Sequence, residues 1–337
     1  MVRPSGEAAG SAAPPVLEVR DLRVTYPGRE RSVVAVDRVS FSIGPGEVLG
    51  LAGESGSGKS TIANAVLRLL RPPAEMSAGA LRFKGRDVPA MSPRELRAFR
   101  WREVAMVFQS AMNALNPVLT VGEQIADVFT THEGLKRRQA YERAGELLEL
   151  VSLPRARLAA YPHQLSGGMR QRVVIAMAVA LRPSLLIMDE PTTALDVVVQ
   201  QEIMAQIAGL QRELGFSVLF ITHDMSLMVE LSDRIGVMYG GRLVELADAG
   251  ELFARPRHPY TASLIDAFPP LTGPRRGLSE LSEAERVVDG VVVGCGFHAR
   301  CPADRANCSF AIPDLREAAP GHWVAEVPVD QQEGAAR

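Results

Sequence analysis

An α/β fold is what this sequence predicts, and three observations carry the prediction. A short apolar run, Val48–Ala52, passes through the glycine-rich segment Gly53–Gly58 into Lys59–Leu70, whose apolar residues recur at helical spacing. A second apolar run, Leu185–Met188, ends in two acids, Asp189 and Glu190. A long helical pattern over Val197–Leu214 then separates it from a third strand-like run, Ser217–Thr222.

The other elements follow in chain order. Residues 1–15 are rich in Ala, Gly, Pro and Ser, lack the apolar core of a secretory signal, and read as a disordered tail. Leu17–Tyr26 and Val33–Ile43 read as strands around a polar turn, which predicts an antiparallel β part. Leu81–Phe83 and Val104–Phe108 are further strands, with a short helix at Pro93–Arg100 between them. Val121–Gly145 is mostly helical and reads as a small inserted helical subdomain. Gly236–Tyr239 and Arg242–Leu246 read as a hairpin turned at Gly240–Gly241. Prolines then punctuate the chain at 256, 259, 269, 270 and 274. The predicted division is therefore a domain over 16–254 and an extension over 255–337.

Bulk composition narrows the function classes. The 337 residues are 47% hydrophobic and 23% charged, with a formal net charge of -2. That balance lacks the strongly basic footprint of a nucleic-acid binder. No apolar run approaches the roughly 20 residues that span a bilayer, so the reading is a cytosolic chain that reaches a membrane only through a partner. The three cysteines all fall within Cys295–Cys308 and read as a ligand cluster rather than as disulfides.

The chemistry begins at Gly53-Glu-Ser-Gly-Ser-Gly-Lys-Ser-Thr61, which fits G-x-x-x-x-G-K-[ST] in the required strand–loop–helix context. Glycines at 53, 56 and 58 let the backbone turn so that successive N–H groups face phosphate oxygens. The following helix start adds partial positive charge. Lys59 should reach the β- and γ-phosphates, and the Ser60 hydroxyl should bind Mg²⁺. A buried strand would hold Asp189 rigidly near the loop as a second Mg²⁺ ligand. Glu190, next in sequence, points elsewhere and can serve as general base to an attacking water.

A second anion site is written into Leu165-Ser-Gly-Gly-Met-Arg-Gln-Arg172, where Ser166, Gly167 and Gly168 open a helix running on through Val173–Leu181. With the loop and the acids, this segment resembles the signature motif of ABC ATPases. The resemblance covers about residues 16–250. It implies a P-loop NTPase domain with an antiparallel β subdomain, an inserted α-helical subdomain and a small C-terminal extension. It implies that Gly53, Ser55, Gly56, Ser57, Gly58, Lys59, Ser60 and Thr61 bind ATP, and that Ser166–Gly168 close over ATP held by a second ATPase subunit. Gln109 resembles the glutamine that contacts Mg²⁺ and water, so Ser60, Gln109 and Asp189 would hold Mg²⁺. His223, in Ile221-Thr-His-Asp224, resembles the switch histidine at the γ-phosphate and joins Glu190 and Gln109 as catalytic. Tyr26 resembles the aromatic that stacks on adenine. Ala194-Leu-Asp196 resembles the loop that puts Asp196 at the dimer interface.

A finer resemblance points to one branch. Asn113-Ala-Leu-Asn-Pro-Val-Leu-Thr-Val-Gly-Glu-Gln-Ile125, the segment Asp189–Gln200 and Arg257-His-Pro-Tyr-Thr261 resemble dipeptide/oligopeptide and nickel permease ATPases. That implies an importer subunit on the cytoplasmic face of the membrane. It would be paired with a second, different ATPase under two permease subunits and fed by an extracytoplasmic solute-binding protein. No nucleic-acid partner is implied. The alternative, an ABC ATPase acting on nucleic acid or ribosomes, is disfavoured by a single loop and by only 106 residues between Lys59 and Ser166.

Thiolates spaced as Cys295, Cys301 and Cys308 can surround an iron–sulfur cluster, and the branch resemblance implies [4Fe–4S]. The expected fourth cysteine is replaced in His322-Trp-Val-Ala-Glu326, so Glu326, His298 and His322 are candidate completing ligands. Zn²⁺ and three reduced thiols are the other two readings.

Overall fold

Buried strands of this chain are apolar on both faces, and that pattern sets the architecture. The computed structural model describes residues 13–28, 32–108, 114–192, 195–267, 287–288, 291–292, 297, 301 and 313–326. The first half runs β1 (Leu17–Tyr26), β2 (Val33–Ile43), β3 (Val48–Ala52), α1 (Lys59–Val66), β4 (Glu75–Ser77), β5 (Ala80–Phe83), β6 (Arg86–Asp87), α2 (Pro93–Phe99), β7 (Val104–Val107), α3 (Val121–Glu133), α4 (Arg137–Leu150) and α5 (Gly167–Val179). The second half runs β8 (Leu185–Asp189), α6 (Val197–Leu214), β9 (Ser217–Ile221), α7 (Met225–Leu231), β10 (Arg234–Tyr239), β11 (Arg242–Asp248), α8 (Ala249–Ala254) and α9 (Pro259–Asp266). Short strands β12 (Val287–Val288) and β13 (Val291–Val292) pair with each other, and β14 (Asp314–Ala319) and β15 (His322–Glu326) close the described chain.

The central sheet has the order β14-β15-β11-β10-β3-β9-β8-β7. Its strands from β7 to β10 are parallel, and β10, β11, β15 and β14 are antiparallel to one another. In β8, Leu186 and Met188 join a core shared with α3 to α6, while Leu185 and Ile187 join a core shared with α1 and the second sheet. In β9, Val218 and Phe220 divide from Leu219 and Ile221 in the same way. Side chains alternate across a strand, so a strand covered on both faces reads as an unbroken apolar run. Each such side chain removed from water contributes roughly 1.5–3 kcal/mol. The second sheet is antiparallel, in the order β2-β1-β5-β6 with β4 also on β1.

The helical insertion is two helices rather than the single run expected over Val121–Gly145. Gly134 sits in the left-handed region at φ 69 and closes α3, and α4 starts three residues later. The start of α3 is fixed by a capping box, in which Thr120 and Glu123 satisfy each other's backbone N–H groups. Helix α1 stops at Val66, short of the expected Leu70, with Arg68 beyond it at φ 50.

The proline-punctuated segment after 255 carries a helix, because Pro259 occupies the first turn of α9, where a missing N–H costs nothing. Hairpin β14–β15 extends the central sheet by pairing with β11. Glu245 of β11 lies wholly buried at this joint. One of its carboxylate oxygens accepts the Arg257 N–H at 2.8 Å and lies 2.7 Å from His322 Nε2; the other accepts the His258 N–H at 3.0 Å. His322 thus meets Glu245 through Nε2, while its Nδ1 is buried with no hydrogen-bond partner among the described residues. Cys301 is half-buried against the main core. Cys295, Cys308, His298 and the Glu326 side chain lie outside the described residues. Among the described residues no group of three His, Cys, Asp or Glu could hold a metal ion, so the iron–sulfur and zinc readings gain no support. Among the described residues, too, no helix is long and apolar enough to cross a membrane.

Glu245→Ala would strip one acceptor from two backbone N–H groups and an imidazole in a buried place. The expected cost is about 2–4 kcal/mol, read as a lower urea midpoint with Glu245→Gln falling less. An unchanged midpoint would show that the joint does not depend on this carboxylate.

Candidate functional site

The phosphate-binding loop is held open by contacts that only glycine permits. Strand β3 lies between β9 and β10, so its C-terminal end emerges at the centre of the sheet. Gly53, at φ 142, would place a Cβ 2.2 Å from the Met238 carbonyl oxygen of β10. Gly58, at φ 99, would place one 2.3 Å from the Ala35 carbonyl oxygen of β2. Both sheets therefore brace the loop, and no larger residue fits either contact. Lys59 opens α1 and is buried, and its ammonium donates to Gly53 O at 2.8 Å, Glu54 O at 2.7 Å and Ser57 Oγ at 3.1 Å. Burial lowers the Lys59 pKa, while Glu190, Asp189 and Glu54 pull it back up.

Strand β8 delivers the acids. The Ser60 hydroxyl donates to Asp189 Oδ1 at 3.0 Å, joining residues 129 apart in sequence. Burial pushes the Asp189 carboxyl up; the Ser60 bond opposes that, Glu190 adds to the rise and Lys59 counters it. Hydroxyl and carboxylate are both oxygen donors of the kind a small hard cation takes, so this pair fits Mg²⁺. Glu190 follows at φ 47, a left-handed backbone that is rare for a residue with a side chain. Its N–H donates to Ile221 O of β9 at 2.8 Å, which fixes the turn. Its carboxylate lies 3.4 Å from His223 Nδ1, just past β9. The His223 ring is 67% exposed and the Glu190 side chain 20%, so the pair lies where the site opens to solvent.

Other residues singled out in the sequence lie apart from this cluster. Ser166 is exposed and caps α5, accepting the Met169 N–H at 3.3 Å. Gly168 packs so closely on α6 that a Cβ would lie 2.6 Å from Val199. Asp196 caps α6 by accepting the Val199 N–H at 3.0 Å, and exposed Val197 and Val198 follow it. Tyr26 ends β1 and lines a cavity of about 570 Å³ with Asn64 and Phe108. Ser55 and Gly56 are exposed at the loop tip, Ser57 is buried, and Thr61 continues α1. Gln109 and Ala194 lie outside the described residues. Two residues had no role assigned from sequence. Tyr260 accepts the N–H of Glu54 in the loop, and Glu245 is the joint described above. An acid inside the apolar run Leu243–Leu246 was the available signal for Glu245.

A glycine loop after a central parallel strand, an acid pair ending the adjoining β8–β9 ladder and a serine–glycine helix start elsewhere on the chain define an ABC-type ATP-binding cassette. Comparison with known proteins agrees. Residues 36–193 match the ABC transporter family model, and residues 244–308 match that of the oligopeptide/dipeptide transporter C-terminal region. The chain belongs to the oligopeptide/dipeptide branch of the ABC transporter family. It is 46% identical to a probable peptide ABC transporter ATP-binding protein of Sinorhizobium fredii, over 92% of this chain and 94% of that one. It is 41% identical to the dipeptide transport ATP-binding protein DppD of Haemophilus influenzae, over 94% and 97%. A solved dimeric ATP-binding cassette, bound to ADP and Pi after hydrolysis, superimposes with a TM-score of 0.61 at 29% identity, covering 69% of this chain and 98% of that one.

Two substitutions test this site. Gly58→Ala must strain the backbone or push β2 away, and MgATP affinity should fall roughly tenfold or more, measured by equilibrium dialysis. For Asp189, the raised carboxyl means that its ionisation costs stability once pH exceeds the ordinary aspartate range of about 4. Asp189→Asn should therefore raise the melting temperature of the nucleotide-free chain at pH 7, with the gain shrinking as pH falls toward about 4. The same variant should lose Mg²⁺-dependent nucleotide affinity. A lower melting temperature at pH 7 would contradict the assignment.

Proposed function

We propose that this chain is the ATP-hydrolysing subunit of an importer for di- or oligopeptides, seated on the cytoplasmic side of two permease subunits beside a second, different ATPase. The observation that carries the reading is the meeting of Lys59, Ser60, Asp189, Glu190 and His223 at one end of the sheet. Cargo class rests on the similarity to peptide transport ATP-binding proteins.

ATP is the substrate. Tyr26 stacks on its adenine, and the N–H groups of the Gly53–Thr61 loop take its phosphates. Lys59 leaves Gly53 O, Glu54 O and Ser57 Oγ for phosphate oxygens, an exchange of neutral acceptors for charged ones. Ser60, Asp189 and Gln109 would hold Mg²⁺, which when bound would supply Lewis-acid stabilisation of the phosphate charge. Glu190 accepts a proton from water as the water oxygen bonds to the γ-phosphorus. The bond from phosphorus to the bridging oxygen breaks, giving ADP and inorganic phosphate. His223 keeps the Glu190 carboxylate turned toward the water. Ser166–Gly168 serve the ATP of the neighbouring ATPase, and that neighbour's equivalent segment serves this one. ATP thus acts as the bridge across the pair, and hydrolysis removes it.

Glu190→Gln keeps the shape of the side chain and removes its basicity. Turnover in the assembled transporter should fall by roughly 10²–10⁴, while MgATP binding persists and the two ATPases remain closed on each other. Turnover at the parent rate would exclude Glu190 as the base.

A further inference from the structure

The peptide unit joining Gly53 and Glu54 is gripped at both ends. A trans peptide is planar, with its carbonyl and N–H pointing in opposite directions. Here the Gly53 carbonyl accepts from the Lys59 ammonium at 2.8 Å, and the Glu54 N–H donates to the Tyr260 hydroxyl at 3.0 Å. Tyr260 comes from α9, 206 residues further along the chain. Its hydroxyl therefore sets the rotation of the plane whose other end holds the phosphate-binding lysine.

That hydroxyl is itself rigidly placed. Tyr260 is 2% exposed. Its ring packs against Tyr239 at a centroid distance of 4.6 Å and meets Phe297 edge-on at 5.4 Å. Its N–H donates to His258 Nδ1 at 3.1 Å, which caps α9. The His258 N–H in turn donates to the buried Glu245 carboxylate, which also meets His322 of β15. An unbroken line of hydrogen bonds thus runs from hairpin β14–β15 through Glu245, His258 and Tyr260 to the loop.

We infer that Tyr260 is a positioning residue for nucleotide binding, through which the C-terminal segment sets the affinity of the Gly53–Thr61 loop for MgATP. When Lys59 turns to phosphate, the Gly53 carbonyl gives up this bond, and the Tyr260 hydroxyl remains as a contact that keeps the peptide from rotating into the phosphate space. A ring that served only as core filling would need no hydroxyl; phenylalanine would fill the same volume without a polar atom to bury.

The inference rests on the ATP reading above, and one experiment separates the two. Tyr260→Phe keeps the ring and its packing. In the assembled transporter the variant's KM for MgATP should rise roughly threefold to tenfold, with kcat at saturating MgATP altered by less than about twofold. Hydrogen exchange at the Glu54 amide of the full nucleotide-free chain should speed up by a similar factor, because the amide has lost this acceptor. Tyr260→Leu, which removes the ring as well, should add a fall in melting temperature. An unchanged KM together with unchanged exchange at Glu54 would overturn the inference and leave the ATP reading intact. So would a loss of kcat and melting temperature in Tyr260→Phe with exchange at Glu54 unaltered. A parent chain that neither binds nor hydrolyses MgATP would overturn both.

Discussion

A buried ammonium is the constraint on which this structure turns. Lys59 is buried at the start of a helix whose own N-terminus is electropositive, and an unpaired charge in such a place is prohibitively expensive. The loop answers by folding two carbonyls and one hydroxyl around it, and Glu190 and Asp189 at the end of β8, with Glu54 of the loop, pull its pKa back up. Burial thus opposes the charge on Lys59 while its neighbours support it. Asp189 shows the same tension from the acidic side, since burial pushes its carboxyl up although a lysine and a serine are near. Such a site is poised to take up a polyanion with its cation, because both relieve charges already desolvated by folding.

The parts of the fold that the sequence made legible are those where the backbone has little choice. Gly53 and Gly58 face carbonyl oxygens at distances no Cβ tolerates, so the loop can be read from glycine spacing alone. The run Leu185–Asp189 was legible as a strand because both of its faces meet cores. Val121–Gly145 was less so. Its break depends on the left-handed conformation at Gly134, and an isolated glycine within a helical pattern does not announce whether it ends a helix. The extension was the least legible. Its hairpin pairs with a strand more than 60 residues earlier, and its anchor is one acid in an apolar strand. Long-range pairing of that kind leaves no local periodicity.

The site was legible in its residues but not in its restraints. Glu190 is named by its place after an apolar strand, yet the direction of its side chain depends on a backbone held at φ 47 by a bond to Ile221 of a different strand. Strain of that kind persists only where the surroundings over-determine it. Here they do, since β8 and β9 are paired from Leu185 to Asp189, and His223 leaves the same strand end to meet the same carboxylate. Ser166 and Asp196 show the opposite case. Each has an ordinary capping task within its own helix, and each is exposed, so the single chain accounts for a structural duty and for nothing more.

The inferred role of Tyr260 ties the extension to the loop that precedes α1. Each restraint on the site comes from a neighbouring element: β10 at Gly53, β2 at Gly58, β9 at Glu190 and α9 at Glu54. The first three belong to the cassette itself. The fourth belongs to a segment that also extends the central sheet at β11 and covers what would otherwise be an exposed edge. Covering that edge could be done by any hairpin, whereas a buried carboxylate gathering Arg257, His258 and His322 aligns one particular helix over the loop. A buried polar network of this sort is costly unless satisfied and specific when it is. Its cost is best accounted for if the position of Tyr260, and with it the rotation of one peptide in the phosphate-binding loop, is what the network exists to fix.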